Sequence, residues 1–361
     1  MRIALVLGLA LLLPATLLAA TQATAPPATH SGPVDTARSP AANIPAPNAN
    51  APVAGPITDV EVVLVSGQYT GPGLWKVSKG DHALWILGTV SPVPKGMDWY
   101  SPQAESVLAQ AQEIIGAPGV VTSMGAGSMF KAAFAMPTIL RARKNPDGKT
   151  LREVLPADLY ARWSALKPVY LGNDMSVEQW RPLFAAGELY GAAIKRVGLA
   201  QGSGVGTRIG ELAKKHDIKR TPTSIRSEIK NPRRLAKSFA KAEIDDVQCF
   251  RNVLDRLELD VANAAERANA WASGDIAELT RLFRRGDVMT CFDAIAKTEA
   301  ARSLGLDNAS ARSQALWLQS AEAALAANPT SFATLPVAEL LQANGLLARL
   351  QAKGYAVVVP E

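Results

Sequence analysis

The 361-residue sequence predicts a mixed α/β (α+β) fold, a helix-rich domain built around a mixed β-sheet. Short apolar and β-branched runs that are typical of strands occur near both ends of the folded part of the chain. Between them, apolar residues recur at spacings of three and four, which is the pattern of amphipathic helices. Strands and helices do not alternate regularly, and this argues against a repeating βαβ array.

The first 23 residues have the composition of a signal peptide. Arg2 precedes an apolar run that reaches about Ala20, and small residues suited to signal peptidase follow. The alternative is an uncleaved membrane anchor, but Pro14 interrupts the run. We therefore expect the leader to be cleaved and the protein to be periplasmic or secreted. We also expect no transmembrane helix in the mature chain, because no other segment has the roughly 20 apolar residues that span a bilayer.

Residues 24–57 are rich in Pro, Ala, Ser and Thr and contain almost no bulky side chains. Such a segment buries too little surface to offset the entropy of ordering it, so we predict a flexible linker. The folded domain is then predicted over residues 58–361.

The first predicted elements of this domain are strands. Residues 61–66 are β-branched, and residues 74–77 and 83–90 are apolar runs on either side of a Lys-Gly-Asp turn, which indicates a β-hairpin. The second run is apolar on both faces, as a central strand is. His82 opens this strand beside the turn, where we expect a solvated side chain and no ligand role.

Helices follow from Ser101, which precedes Pro102 in the arrangement of an N-cap and first turn. The first helix is predicted to run through the QAESVLAQAQEII segment. Further helices are predicted over residues 131–143, 156–166, 177–197, 208–216, 241–271, 276–284, 288–304 and 309–326. A short helix, a stop at Gly354 and a strand over residues 355–359 close the chain.

Charge and residue inventory exclude several functions. The net charge of +6 is too small for its average to imply nucleic-acid binding, and three histidines with two cysteines nearly exclude a zinc or iron site built from them. Residues 208–241 are locally basic, with eleven Lys or Arg and three Asp or Glu. This basic segment could bind an anionic surface or a polysaccharide; the alternative is a solvated helix face and loop, and the partner is otherwise unknown.

Export makes a disulfide between Cys249 and Cys291 a reasonable expectation, since it would close a loop of about 43 residues and stabilise the fold by about 4 kcal/mol. The alternative is two buried thiols. A phosphate loop at residues 202–206 is disfavoured, because the glycine spacing is wrong and a helix precedes it. Ser91 is a poor nucleophile candidate, since about 30 Å of strand would separate it from His82. No catalytic residue is assigned.

Three stretches carry a resemblance to a known family. They are the hairpin with its Gly88-Thr89-Val90-Ser91 end and the following Trp99 loop, the AWASGD segment that contains Trp271, and the tail from Arg312 to the Gly-Tyr-x-Val strand. Together, over residues 73–361, they resemble the TraB/GumN family, exported or membrane proteins related to the Tiki metalloproteases. The resemblance implies a metal site formed by two Gly-x-x-His strand ends and an acid on a third strand.

The chain departs from that pattern at the ligand positions. Ser91 stands where the first histidine is expected, Ala117 where the main acid is expected, and Glu339 where the second histidine is expected. Thr223 stands at the leucine of a further Leu-Glu pair. Arg312 matches a family arginine, and it could pair with Glu339 or lie exposed on its helix. We expect these degenerate positions to bind no metal or other cofactor.

The resemblance and its departures leave three hypotheses. The first is a catalytically inactive TraB/GumN relative with a binding or scaffolding role at the envelope. The second is a metal-independent hydrolase or protease whose site has been rebuilt around Glu339, Glu113 or Arg312. The third is an unrelated exported binding module, which fails if the strand ends at residues 88–91 and 336–339 face each other.

Overall fold

The computed structural model describes residues 71–97, 99–202, 204–283 and 295–360. The predicted leader, the linker and the strand at residues 61–66 lie outside the described residues, and these predictions stay open.

A six-stranded mixed sheet forms the centre of the fold. Its strands, in spatial order, are β10 (Ala356–Val358), β1 (Leu74–Lys79), β2 (His82–Thr89), β9 (Thr330–Pro336), β4 (Glu113–Ile115) and β7 (Lys219–Thr221). β1 runs antiparallel to β10 and β2, whereas β2, β9, β4 and β7 are parallel to one another. The predicted mixed sheet, with strands from both ends of the chain, is confirmed.

Two short strand pairs lie outside this sheet. β3 (Val93–Pro94) pairs antiparallel with β6 (Leu199–Ala200), and β5 (Gly119–Ser123) pairs parallel with β8 (Ser224–Glu228). The first pair follows β2 directly and helps to fix the loop at the end of that strand.

The described residues form thirteen α-helices, so the fold is helix-rich as predicted. They are α1 (Pro102–Gln110), α2 (Ala126–Ala142), α3 (Leu151–Val154), α4 (Ala157–Tyr170), α5 (Pro182–Arg196), α6 (Val205–Lys215), α7 (Pro232–Ala240), α8 (Asp246–Ser273), α9 (Ile276–Phe283), α10 (Glu299–Ser303), α11 (Ala309–Ala327), α12 (Val337–Leu340) and α13 (Leu346–Ala352). Within the described ranges, no helix has both the length and the apolar character needed to cross a membrane.

The predicted hairpin is present. Gly80, at φ +63°, turns the chain between β1 and β2, a conformation that glycine adopts without a steric penalty. Leu84, Ile86 and Leu87 of β2 are completely buried, so both faces of this strand are covered. His82 is predicted to be solvated, but its side chain is partly buried. Its Nδ1 donates a hydrogen bond to the carbonyl of Leu325 at 2.7 Å.

Two predicted helices differ from the structure. The first helix ends at Gln110, and Glu113–Ile115 is strand β4, because pairing with β9 and β7 on both sides buries these residues. The helix predicted over residues 177–197 is broken, since the residue before a proline avoids helical geometry and Arg181 precedes Pro182. The first seven residues of the helix predicted over 288–304 lie outside the described residues, and residues 299–303 of the remainder form α10.

The interior has two main parts, which α8 connects. The larger core surrounds the six-stranded sheet and includes Trp75, Trp271 and Trp317. The smaller core lies between α3, α4, α5 and α8 and includes Trp163 and Phe250. Because α8 contributes to both cores, it can hold groups of the helical part against the end of β2.

Candidate functional site

The carboxyl ends of three neighbouring parallel strands, β2, β9 and β4, meet at one edge of the sheet. Thr89 of β2 lies opposite Pro336 of β9, so the two strand ends that the sequence singled out are adjacent. Residues 116–117 follow β4 on the other side of β9. We call residues 88–91, 336–339 and 116–117 the carboxyl edge; carboxyl ends of parallel strands are the usual place for sites in such sheets.

Gly88 is fixed at this edge by close packing. A Cβ atom there would lie 2.8 Å from both the Trp75 ring and a methyl group of Val337, so only glycine fits. The Gly88 carbonyl accepts a hydrogen bond from Trp271 Nε1 at 2.7 Å, and the ring of Trp99 packs edge-on against Trp271 at 5.9 Å. The hydroxyl of Thr89 donates to the carbonyl of Leu335, which ties β2 to β9.

The AWASGD segment has a local structural explanation as well. Trp271 contacts the edge, Gly274 ends α8 with a φ of +74°, and the Asp275 carboxylate accepts a hydrogen bond from the Glu278 backbone at the start of α9. These three residues therefore place one tryptophan under the end of β2 and redirect the chain immediately afterwards.

Ser91, at the first missing histidine position, lies exposed just beyond β2 and precedes a cis peptide bond to Pro92. Arginines of α8 hold the backbone on both sides of this bond. Arg267 Nη2 donates to the Pro92 carbonyl at 3.1 Å, and Arg256 Nη2 lies 3.5 Å from the Ser91 carbonyl. The loop is thereby fastened to the helical part of the fold.

Those two arginines belong to a buried ionic cluster, which we define as Tyr190, Arg256, Asp260 and Arg267. Asp260 is completely buried, and its carboxylate accepts hydrogen bonds from the Tyr190 hydroxyl at 2.6 Å, Arg256 Nε at 2.7 Å and Arg267 Nη1 at 3.1 Å. Burial, and then the Asp260 charge, raise the pKa of the Tyr190 phenol, so it stays a neutral donor. Burial lowers the pKa of Arg267, and Asp260 opposes this change.

Sequence reasoning missed this cluster, although α8 carries a signal of it. Asp260 and Arg267 fall at helical spacings from Leu257, Val261 and Ala264, which are buried, so two charged residues occupy the apolar face. Charged residues are almost never fully buried unless they are paired. The contribution of Tyr190, from another helix, has no such local signal.

Glu339, at the second missing histidine position, is partly buried and contacts the start of a helix. Its Oε1 accepts a hydrogen bond from the backbone N–H of Leu346, the first residue of α13, at 3.1 Å. Burial raises the pKa of Glu339, and the Leu346 hydrogen bond and the charge of Arg349 partly offset this. The Glu339 carboxylate therefore already has a hydrogen-bond partner at the amino-terminal end of α13.

Arg312 lies exposed near the start of α11 and donates to the carbonyl of Gly305 at 2.9 Å. Of the two alternatives for this residue, the structure shows the exposed one: no ion pair with Glu339 is present among the described residues. The family arginine therefore stabilises the turn before α11.

Ala117, at the missing acid position, is partly exposed and has no donor atom in its side chain. The preceding carbonyl, that of Gly116, accepts a hydrogen bond from the Thr223 hydroxyl at 2.7 Å. Thr223 is itself buried, so it serves to join the ends of β4 and β7.

Glu113 lies away from the carboxyl edge. It pairs in register with Ser331, five residues before Pro336 along β9, which corresponds to about 16 Å. Burial raises the pKa of Glu113, but donors from the Thr221 hydroxyl, Lys219 Nζ at 3.0 Å and Asn328 Nδ2 at 3.1 Å outweigh this and lower it overall. Glu113 and Glu339 therefore belong to different ends of the sheet.

The residues of the carboxyl edge do not fit the metal that the resemblance implies. A divalent ion needs several converging anionic or imidazole donors, whereas the edge offers a serine hydroxyl, an alanine and one engaged carboxylate. In the part of the chain that the structure describes, no group of three or more His, Cys, Asp or Glu residues could hold an ion. The structure also places His82 at the opposite end of β2 from Ser91.

Two further predictions lie elsewhere in the fold. Cys249 is buried on α8, whereas Cys291 lies outside the described residues, so the disulfide stays a prediction. The basic segment 208–241 extends over α6, β7, β8 and α7, and its binding to an anionic surface or a polysaccharide stays a prediction.

Comparison with known proteins agrees with the motifs at the edge. The sequence profile of the TraB/PrgY/gumN family matches residues 73–359, from the start of the hairpin to the end of the last strand. No curated protein and no solved structure matches the chain. The match covers most of the chain, and the chain belongs to the TraB/PrgY/gumN family.

Proposed function

We propose that this protein is a non-catalytic member of the TraB/PrgY/gumN family with a binding or scaffolding role at the cell envelope. The observation that carries the proposal is the contrast at the carboxyl edge. The packing residues Gly88 and Trp271 are present and make close contacts, while Ser91, Ala117 and Glu339 leave the same edge without a set of metal donors.

The chemistry of each replacement supports the proposal. A serine hydroxyl is neutral at ordinary pH, and alanine supplies no lone pair, so neither Ser91 nor Ala117 can compensate for a divalent charge. Glu339 is the one remaining anionic group at these positions. Its carboxylate accepts a hydrogen bond from the backbone N–H of Leu346, and this works against metal binding because one of its oxygens is already engaged at a helix end.

The alternative, a hydrolase with a rebuilt site, has no observation in its favour. Glu113 is about 16 Å along the sheet from the edge, and Arg312 is bonded to the Gly305 carbonyl. Glu113 therefore cannot act together with Glu339 on one substrate atom without a rearrangement of the sheet, and Arg312 forms no ion pair with Glu339 among the described residues.

The envelope location in this proposal rests on the composition of the first 23 residues. Intact-mass measurement of the exported protein tests it directly, since cleavage removes about 20–25 residues. A mature species that still carries Met1 would contradict this part of the proposal.

Thermal melting with and without Mn²⁺, Co²⁺ and Zn²⁺ tests the absence of a metal site. We expect no ion-dependent stabilisation of the wild type, and none of Ser91→His, because Ala117 still supplies no donor and the Glu339 carboxylate accepts a hydrogen bond from Leu346. Ser106→His, an exposed change on α1, controls for adventitious binding by an added histidine. Stabilisation of the wild type by about 2.7 kcal/mol at a hundredfold excess over Kd would contradict the proposal.

A further inference from the structure

The outer surface of α2 is apolar. Its solvent-facing side chains include Met129, Phe130, Phe134 and Leu140, which are 54%, 72%, 79% and 39% exposed. Ala133 and Pro137 lie between them and are exposed too. Because these positions recur every three or four residues, they form one stripe over about three turns, and we call this stripe the α2 face.

The helix is inverted relative to an ordinary amphipathic helix. Apart from Ile139, its buried side carries small residues: Ala135 and Ala142 pack with Ile139 against Ala236 of α7, while both of its phenylalanines face outward. Phe130 and Phe134 lie against each other with ring centroids 5.7 Å apart. With about 200 Å² for a phenylalanine side chain, these two alone expose about 300 Å², which approaches the size at which an exposed patch marks an interaction site.

The surroundings of this face are strongly basic. Residues 116–146, which contain α2, carry four Lys or Arg and no Asp or Glu, and residues 229–242, which contain α7, carry five and none. Within the described residues, none of these nine cations forms an ion pair with a carboxylate. Lys131 and Arg141 border the α2 face near its two ends, and Glu228 approaches Gly125 just before the helix.

Large exposed apolar side chains beside unpaired cations are what an interfacial helix presents to a membrane. The apolar stripe enters the boundary between headgroups and acyl chains, and the cations meet anionic lipid headgroups. We propose that the α2 face docks this protein onto a bilayer that contains anionic phospholipid, with Phe130 and Phe134 inserted and the cations of α2 and α7 at the headgroups. This docking does not depend on whether the carboxyl edge binds a metal.

The charges favour a lipid surface over the other occupants of such a face. In a symmetric dimer through α2, the basic residues of one copy would face those of the other, which is unfavourable for association. A polysaccharide or nucleic acid would satisfy the cations but would leave the phenylalanines in water. Of these occupants, an anionic lipid surface with an apolar layer beneath it is the one that satisfies both features.

Vesicle co-sedimentation tests the proposal, with vesicles of phosphatidylcholine alone and of phosphatidylcholine mixed with phosphatidylglycerol. We expect the full chain to bind the mixed vesicles and not the neutral ones, with binding that weakens as salt rises. Phe130→Ser with Phe134→Ser should weaken binding by about tenfold or more, since the inserted apolar area is lost. Wild type and variants are purified in the same exported form and share one amino terminus, so the residues before the folded domain contribute equally to all of them.

Two variants complete the design. Tyr100→Ser removes another exposed aromatic side chain, 64% exposed and outside α2, and should leave binding unchanged. Lys237→Gln with Arg234→Gln should weaken binding to the mixed vesicles and reduce its salt dependence. These side chains are on the surface, so we expect each variant to remain folded. The urea midpoint of each variant checks this.

Three results would overturn the proposal. The first is equal binding to neutral and anionic vesicles, and the second is binding that the double phenylalanine variant retains in full. The third is a wild-type dimer that the same variant converts to monomer with no change in vesicle binding, because a second copy of the chain would then cover the α2 face.

Discussion

Asp260→Asn tests whether the buried ionic cluster holds the end of β2. The carboxylate accepts three hydrogen bonds in the structure, one at Oδ1 and two at Oδ2. Asparagine has one accepting oxygen, and its NH₂ group can only donate, so at least one donor of the cluster must lose its acceptor. The charge that balances two guanidinium groups is lost at the same time.

The magnitude follows from how far each arginine can reach water. The Arg256 side chain is 23% exposed and can be solvated in part, whereas Arg267 is 5% exposed and cannot. Removal of one partner of a buried ion pair costs about 3–5 kcal/mol, because the other charge stays buried and unpaired. We therefore expect Asp260→Asn to lower the free energy of unfolding by about that amount, a large share of a typical 5–15 kcal/mol.

Urea unfolding followed by tryptophan fluorescence measures this loss. Asp255→Asn is the matched control on the same helix: Asp255 is 53% exposed and pairs with Arg162 at 2.8 Å, so its replacement should cost no more than about 1 kcal/mol. Tyr190→Phe removes one donor from the cluster and should couple to Asp260→Asn in a double-mutant cycle. Equal losses for Asp260→Asn and Asp255→Asn would refute the reasoning.

Three further predictions rest on single positions. Gly88→Ala should lower the free energy of unfolding in urea by about 1–3 kcal/mol, because the added Cβ has no room. Gly127→Ala on α2 is the control: its Cβ meets open space, so the free energy of unfolding should not fall. Equal losses for the two variants would contradict the packing argument. Cys249 and Cys291 should resist alkylation in the unreduced, denatured protein, as judged by mass; two added alkyl groups would argue against a disulfide. Glu113→Gln should destabilise at neutral pH by about 1–3 kcal/mol, because the lowered pKa of Glu113 means that its ionised form stabilises the fold. That stability is present above the unfolded pKa of about 4.3 and is lost as pH falls through the lower folded pKa, so wild type and variant should converge in acid; a constant difference would argue against it.

The parts of the fold that the sequence predicts best are those with local patterns. The hairpin has two apolar runs and a glycine turn, and α8 has a long 3.6-residue period, so both could be predicted from neighbouring residues. β4 could not, because its three residues follow a good helix and become a strand only by pairing with β9 and β7, more than 100 residues away.

The candidate site, too, has parts that the sequence predicts and parts that only the structure reveals. Ser91, Ala117 and Glu339 were located by the family resemblance, and the parallel register of β2, β9 and β4 then explains why they share an edge. The attachment of Glu339 to α13 needed the structure, since the carboxylate accepts a hydrogen bond from a backbone N–H and forms no ion pair among the described residues. Likewise, the hydrogen bond from Tyr190 to Asp260 joins residues 70 positions apart in the sequence, and no periodic pattern predicts such a contact.

The central claim is that this family member has kept the framework of the carboxyl edge and lost the metal site. Elemental analysis of the protein, purified without chelators and dialysed against metal-free buffer, tests it most directly. We predict that Mn, Co, Zn and Fe are each present well below one atom per chain. One tightly held ion per chain, displaced by Glu339→Gln but retained by the surface variant Glu322→Gln, would contradict the account.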